Sequence, residues 1–245
     1  MKTVEANKRP TERSLNKNST LSKTLRASFA IAIALAGIFV FTRVLHPAAM
    51  DLIEYWSSAK LLLHHINPYS PSGVFALEKA EGFLPSSPLV MLNPPWALFL
   101  ILPLGFGGAH TALFLWTIAA FGCVLAFIRL LEVPEKNAPL ALFFAPVLAS
   151  ICSGQSSPFL LLGFALFLRF HRSRPFWAGA SLLLMAIKPH LFLVFWAVLL
   201  AESIYRRRFR IIAGAAAALA VTSAFATALD PHVWTHYIFM MRASA

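Results

Sequence analysis

Residues 51–95, DLIEYWSSAKLLLHHINPYSPSGVFALEKAEGFLPSSPLVMLNPP, form the one long polar interruption in an otherwise apolar chain. The flanking sequence decides the fold. Of 245 residues, 58% are hydrophobic and only 13% charged, and the mean hydropathy is +0.70, whereas soluble domains carry about one quarter charged residues. Composition therefore excludes a soluble enzyme. Apolar runs broken by Pro, Gly and charge fit helices near the ~20 residues that cross a bilayer. The short alternating strands of a β-barrel do not occur. The expected fold is an all-α polytopic transmembrane helical bundle.

The charge pattern sets its orientation. The net charge of +11 sits in short basic clusters between apolar runs, which the positive-inside rule explains better than nucleic-acid binding. Residues 1–26 hold seven Lys or Arg against Glu5 and Glu12 and read as a disordered cytoplasmic tail. Ser28 to Leu45 reads as the first crossing, long for a signal peptide and without a small-residue cleavage site. Residues 46–93 then form an extracytoplasmic loop, because Asp51, Glu54, Glu78 and Glu81 outnumber Lys60 and Lys79. Apolar residues at three- and four-residue steps from Leu52 to Ile66 predict an amphipathic helix on the membrane surface over 51–66, with Asp51, Glu54, Ser58 and His65 on its polar face. The Asn67 to Pro71 stretch ends that helix.

Further apolar runs follow at 96–108, 110–131, 139–151, 157–170, 175–202 and 211–229. Arginines at 169–174 and 206–210 mark the cytoplasmic side, and Lys188-Pro189 breaks the run 175–202 into a hairpin. Counted as full crossings, the runs between Pro95 and Gln155 leave Gln155 on the wrong side, so one run is expected to be re-entrant. The segment 139–151, interrupted by Pro146, is the candidate.

This arrangement brings Asp51, Asn93, Gln155, Lys188 and His190 to one outer face, where ionisable groups at membrane depth are candidates for function. Each also has a plainer role. Asp51 fits an N-cap, Glu54 a solvated face, Lys188 a snorkelling helix end, and Gln155 a cap or interhelical hydrogen bond. His64-His65 and the pair His232 and His236 match no strong zinc pattern, and neither Cys123 nor Cys152 has a partner at metal or disulfide spacing. No metal and no cofactor are expected.

Several ordered motifs together resemble the glycosyltransferase 87 family. They are D-L-I-E-Y-W-S-S-A-K-L-L-L ending in N-P-Y, then N-P-P-W-A-L-F-L-I-L-P-L, S-G-Q, and A-G-A-S-L-L-L-M-A-I-K-P followed by R-R-R-F-R. The resemblance covers roughly residues 28 to 215 and implies a GT-C fold, similar to the polyprenol-phosphate-mannose-dependent mannosyltransferases. It implies a hexosyltransferase of the cell (inner) membrane that moves a hexose, mannose above all, from a polyprenyl-phosphate donor to an envelope glycolipid or glycan. The bilayer, that donor and that acceptor are the expected partners. Asp51 matches the family's catalytic acid, and Tyr55, Gln155 and Lys188 match residues implied to bind substrate; His190, on the same outer face, is expected to bind substrate with them. An acceptor hydroxyl must lose its proton as it attacks, and a carboxylate within hydrogen-bond reach takes it. A lysine beside the donor phosphate offsets charge on the leaving group.

The usual tyrosine before the two prolines is Asn93 here, and the resemblance implies further helices beyond Ala245. Residues 27–245 are thus expected to be an incomplete GT-C-like domain. A non-catalytic or transporter-like polytopic membrane protein, or an inactive fragment of the family, is the alternative reading.

Overall fold

The computed structural model describes residues 37–39, 50–83 and 86–243. The chain divides into two units, Met1–Arg43 and Val44–Ala245. In the first, residues 37–39 are helical; the expected tail and the rest of the expected first crossing lie outside the described residues. In the second, the described residues contain helix, turn and irregular segments and no strand.

The centre of the second unit is α1, Met50–Leu63. It is not the surface helix that its periodicity predicts. Leu52, Ile53, Tyr55, Trp56, Ala59 and Leu62 are buried, and so are Ser57 and Ser58. Burial on nearly every side requires no amphipathic stripe. Of the expected polar face, only Asp51 and Glu54 stay half-exposed near the helix start, and His65 is exposed past its end. The segment Pro95–Phe106 covers α1. It is a 3-10 turn (Pro95–Ala97), a four-residue helix α3 (Leu98–Ile101) and a second 3-10 stretch (Leu102–Phe106). Gly105 permits the contact, since a Cβ there would stand 2.8 Å from the Ala59 carbonyl. The Trp56 indole then donates to the Gly107 carbonyl at 3.0 Å.

Between α1 and that segment, Asn67 Oδ1 accepts from the Tyr69 amide at 2.8 Å, and α2 (Pro71–Ala80) starts on a Ser70 cap with proline in its first turn. Glu78 of α2 is fully buried and accepts from the Leu89 amide at 3.0 Å, which fixes the segment leading to Asn93.

α4 (Ala109–Leu130) and α10 (Phe209–Leu229) are the two described helices long and apolar enough to cross a membrane. Shorter helices complete the bundle: α5 (Ala138–Leu142), α6 (Ala145–Cys152), α7 (Ser157–Phe170), α8 (Pro175–Ser181), α9 (Leu193–Tyr205) and α11 (Val233–Ala243). Large apolar side chains on α9 and α10, among them Val194, Val198, Ile204 and Val221, stay exposed. Helices that present Val and Ile outward suit a lipid surrounding better than water.

α4 and α7 run parallel. The Trp116 and Phe159 rings pack tilted against each other with centroids 4.5 Å apart, and at the far end Glu132 pairs with Arg169 at 3.5 Å. The chain must then return, and it does so through α5 and α6, because the Asp51 amide donates to the Ser153 carbonyl at 3.2 Å. The 139–151 run, expected to be re-entrant, therefore joins the Glu132 end of the bundle to the Ser153 end. Pro95–Phe106 instead starts beside Ile187 and ends beside Trp56, both on the Asp51 side. Its 12 residues are broken by Pro103 and two 3-10 stretches, too few and too irregular for a full crossing.

Candidate active site

A cavity of about 490 Å³ opens on the Asp51 side, lined by Glu54, Asn93, Lys188, His190, Tyr237 and Met241 among others. Its charged residues come from two places far apart in the chain. Glu54 lines it from α1, and Asp51, one helical turn earlier, meets it only through Lys188. Lys188 Nζ lies 3.7 Å from Asp51 Oδ2, with both side chains partly buried, at 21% and 30% exposure. The distance is long for a tight ion pair, so the lysine is oriented toward the carboxylate without being consumed by it.

The lysine is delivered by a helix break. The 3-10 turn Met185–Ile187 ends at Lys188 with φ −123° and ψ 73°, and Pro189 opens the next 3-10 turn, Pro189–Phe192. A proline cannot donate to the preceding turn, and the freed carbonyls are satisfied from elsewhere, as buried backbone requires. Asn93 Nδ2 donates to the Ile187 carbonyl at 2.9 Å and the Trp96 indole to the Ala186 carbonyl at 2.8 Å. The Asn93 carbonyl in turn accepts from the Tyr69 hydroxyl at 3.0 Å. The asparagine that departs from the family pattern therefore clamps the break that presents Lys188.

Gly154 positions the other wall. It ends α6 in the left-handed region, φ +71°. The Gln155 amide donates to the Ser150 carbonyl at 2.8 Å and the Gly154 amide to that of Ile151 at 3.1 Å, the paired bonds of a Schellman end. A Cβ on Gly154 would lie 2.6 Å from that of Leu52, so only glycine lets this loop sit against α1. Gln155 is carried close to Asp51 by the Ser153 contact, but its Oε1 accepts from the Ser157 hydroxyl at 3.4 Å and it does not line the cavity. Tyr55 is in the core, its ring 5.5 Å from that of Trp116, and is no part of the cavity wall. Of the five expected residues the cavity wall holds Lys188 and His190; Asp51 stands behind it, 3.7 Å from Lys188, Gln155 is adjacent and Tyr55 is buried.

Two contributions escape the sequence reading. Glu54 faces the cavity instead of solvent. Its carboxyl sits well above the usual value of 4.5, first because burial penalises the charged form and next because Asp51 is beside it, with Lys188 opposing both. The second is α11, which supplies Tyr237 and Met241. Its start is legible in D-P-H: Asp230 Oδ1 accepts from the His232 amide and Oδ2 meets His236 Nδ1, at 2.9 and 2.8 Å. Aspartate before proline and an apolar run is a helix-start signal.

Glu54→Gln provides a check on this electrostatic picture. Below pH 4.5 the folded and unfolded chains both hold the Glu54 proton, and its burial carries no electrostatic cost. As pH rises, the unfolded chain releases the proton first while the folded chain keeps it, so stability falls through this window. The glutamine lacks that slope. Its unfolding temperature relative to the parent should therefore climb as pH rises above about 4.5; a constant offset across the titration contradicts the shifted carboxyl.

The profile of glycosyltransferase family 87 matches residues 91–245, well over half of the chain. No curated protein and no solved structure matches it. The matched stretch supplies Asn93, Lys188, His190 and Tyr237, and Asp51 and Glu54 precede it. Members of this family are membrane proteins that transfer sugars. With that match and an acid–lysine pair set on a cavity, the chain belongs to glycosyltransferase family 87.

Proposed function

We propose that the protein transfers a hexose, mannose in the first instance, from a polyprenyl-phosphate donor to a glycolipid or glycan acceptor on the extracytoplasmic face. The observation that carries this reading is the Asp51–Lys188 pair beside a 490 Å³ cavity. A sugar transfer needs a base for the acceptor and a cation for the leaving phosphate, and these two side chains supply both.

The step is a single displacement. The acceptor oxygen forms a bond to the anomeric carbon as the bond from that carbon to the phosphate oxygen breaks. The leaving electron pair departs with polyprenyl phosphate, and the acceptor proton passes to the Asp51 carboxylate. Lys188, 3.7 Å from that carboxylate in the free protein, holds it ready as a base and moves to the phosphate as charge develops there. Glu54, which retains its proton more readily than an ordinary carboxyl, donates a hydrogen bond to the sugar or phosphate without competing for the acceptor proton. His190 and Tyr237 line the rest of the sugar site, and Gln155 adjusts the loop behind Asp51.

On this reading the Asp51 end lies outside and the arginine-rich turns at 169–174 and 206–210 lie in the cytoplasm, as the positive-inside rule supports. A lipid-borne donor reaches the cavity laterally, through the exposed apolar surface. The test uses membranes containing the full chain, supplied either with radiolabelled polyprenyl-phosphate-mannose or with a labelled nucleotide sugar. Label should pass to lipid-extractable or glycan acceptor from the first donor only. Transfer from the nucleotide sugar in the absence of polyprenyl phosphate would refute the donor class.

A further inference from the structure

A second and larger cavity, about 640 Å³, lies at the opposite end of the bundle. Four arginines, Arg172, Arg207, Arg208 and Arg210, line it together with His171 and Phe209. A neighbouring cavity of about 310 Å³ shares Arg210 and adds Arg174 and Trp177. The 21 residues of α10 separate this end from Asp230 and the candidate active site, roughly 30 Å at 1.5 Å per residue.

Among the described residues no carboxylate neutralises these arginines. Glu202 is engaged with Arg206 at 3.3 Å, and Glu132 with Arg169 at 3.5 Å. The backbone also holds the cluster in a costly shape. Arg207 sits at φ 54°, in the left-handed region that favours glycine, and closes α9 through Arg207 and Arg208 amide bonds to the Ile204 and Ser203 carbonyls at 3.1 and 2.7 Å. Around the cations stand exposed aromatic rings, Phe176, Trp177, Tyr205 and Phe209. A free anion needs only the cations, whereas a lipid headgroup needs cations for its phosphate and an amphipathic rim at the membrane boundary.

We propose that this arginine-lined cavity binds the phosphate of an anionic phospholipid headgroup, in the leaflet opposite the Asp51 cavity. The guanidinium forks take the phosphate oxygens in pairs, and the acyl chains follow the exposed apolar surface of α9 and α10. The site is separate from sugar transfer and does not depend on the donor assigned above.

The experiment uses the full chain purified in a neutral detergent. Native mass spectrometry would titrate it with dioctanoyl phosphatidylglycerol, with dioctanoyl phosphatidylcholine and with inorganic phosphate. The phosphatidylglycerol should bind at least about tenfold more tightly than the other two. R207Q/R208Q/R210Q should weaken it on the order of a hundredfold, given the contribution of each basic residue near an anionic surface. R207K/R208K/R210K, which keeps the charge, should stay within about tenfold of the parent. Arg172→Gln, on the other wall of the cavity, should weaken binding about fivefold and tests the same site if the triple glutamine variant fails to fold. Equal affinity for the two lipids, or unchanged affinity in both the triple glutamine and the Arg172→Gln proteins, overturns the proposal. So does inorganic phosphate binding as tightly as phosphatidylglycerol, which would make this a soluble-anion site.

Discussion

Asp51→Asn is expected to lower the turnover of sugar transfer by about 10²–10⁴-fold, the range that a positioned general base contributes. Asparagine fills the same volume and can still accept a hydrogen bond from Lys188, so packing around α1 is preserved. What it loses is the ability to take a proton. The ion pair it breaks is partly exposed and 3.7 Å long, and pairs of that kind contribute little to stability. The unfolding temperature should therefore change by no more than a few degrees while kcat collapses. Acceptor and donor KM should move far less than kcat, because the interaction removed is one made in the transition state. If the role of Asp51 were only to cap α1 and orient Lys188, the substitution would leave kcat within about threefold of the parent. That outcome would remove the base from the mechanism and turn attention to Glu54.

The second large effect concerns the scaffold. α8 and α10 cross with their backbones in contact through Gly179 and Gly214. A Cβ on Gly214 would collide with the Phe176 carbonyl oxygen, and one on Gly179 with that of Ile211. In each case the obstructing atom is backbone, which cannot rotate aside. Small residues at such crossings let helices approach closely where hydrophobicity gives no preference for helix over lipid. Gly214→Val should therefore force the helices apart, at a cost of about 3 kcal/mol or more. Against a total stability of about 5–15 kcal/mol, this should appear as loss of folded protein in detergent, measured by size-exclusion yield and thermal unfolding. Gly122→Ala is the control, since a Cβ there meets nothing within 4 Å; it should leave yield unchanged. A Gly214→Val protein with parental yield and unfolding temperature would contradict the close crossing.

The two experiments probe different links between sequence and function. Gly214 acts on the packing that holds α8, and α8 leads directly into the Met185–Ile187 turn and Lys188. A weakened crossing would thus move the lysine as well as the fold. Asp51→Asn removes chemistry and leaves the lysine where it is.

Much of the site is legible in the chain. Lys188-Pro189 announces a helix break, because proline removes a donor and excludes the preceding residue from the helix. Ser153-Gly154-Gln155 announces a helix end, because glycine supplies the left-handed turn. Both breaks place a polar residue where the backbone leaves the helix. The loop 51–95 reads as the polar segment that carries the acid, and Asp51 does stand beside Lys188. Less legible is the environment of α1. Its Leu, Trp and Ala spacing fits a surface stripe, yet Ser57 and Ser58 are as buried as Ala59. Small side chains permit burial without demanding it, and what buries them is Pro95–Phe106 folding back through Gly105.

The same difficulty applies to two short apolar runs. On length alone, residues 139–151 and 95–106 are equally poor crossings, and Pro146 makes the first the natural re-entrant segment. The contacts tell them apart, since Glu132 pairs with Arg169 at one end of the first run and Ser153 accepts from Asp51 at the other. Glu54 escapes the sequence for a related reason. A glutamate three residues after Asp51 looks solvated on a surface helix and becomes a shifted, cavity-facing acid on a buried one.

By itself the sequence determined the apolar helical character, the two backbone breaks and the acid and lysine that stand side by side. These follow from local chemistry: hydropathy, the missing amide of proline and the free torsions of glycine act within a few residues. Only the tertiary structure decided how α1 is buried, which short run joins the two ends of the bundle, and that Glu54, Asn93 and Tyr237 share a cavity with Lys188. Those are properties of contacts between segments far apart in the chain, fixed by steric fit at Gly105, Gly154 and Gly214, which no local pattern encodes.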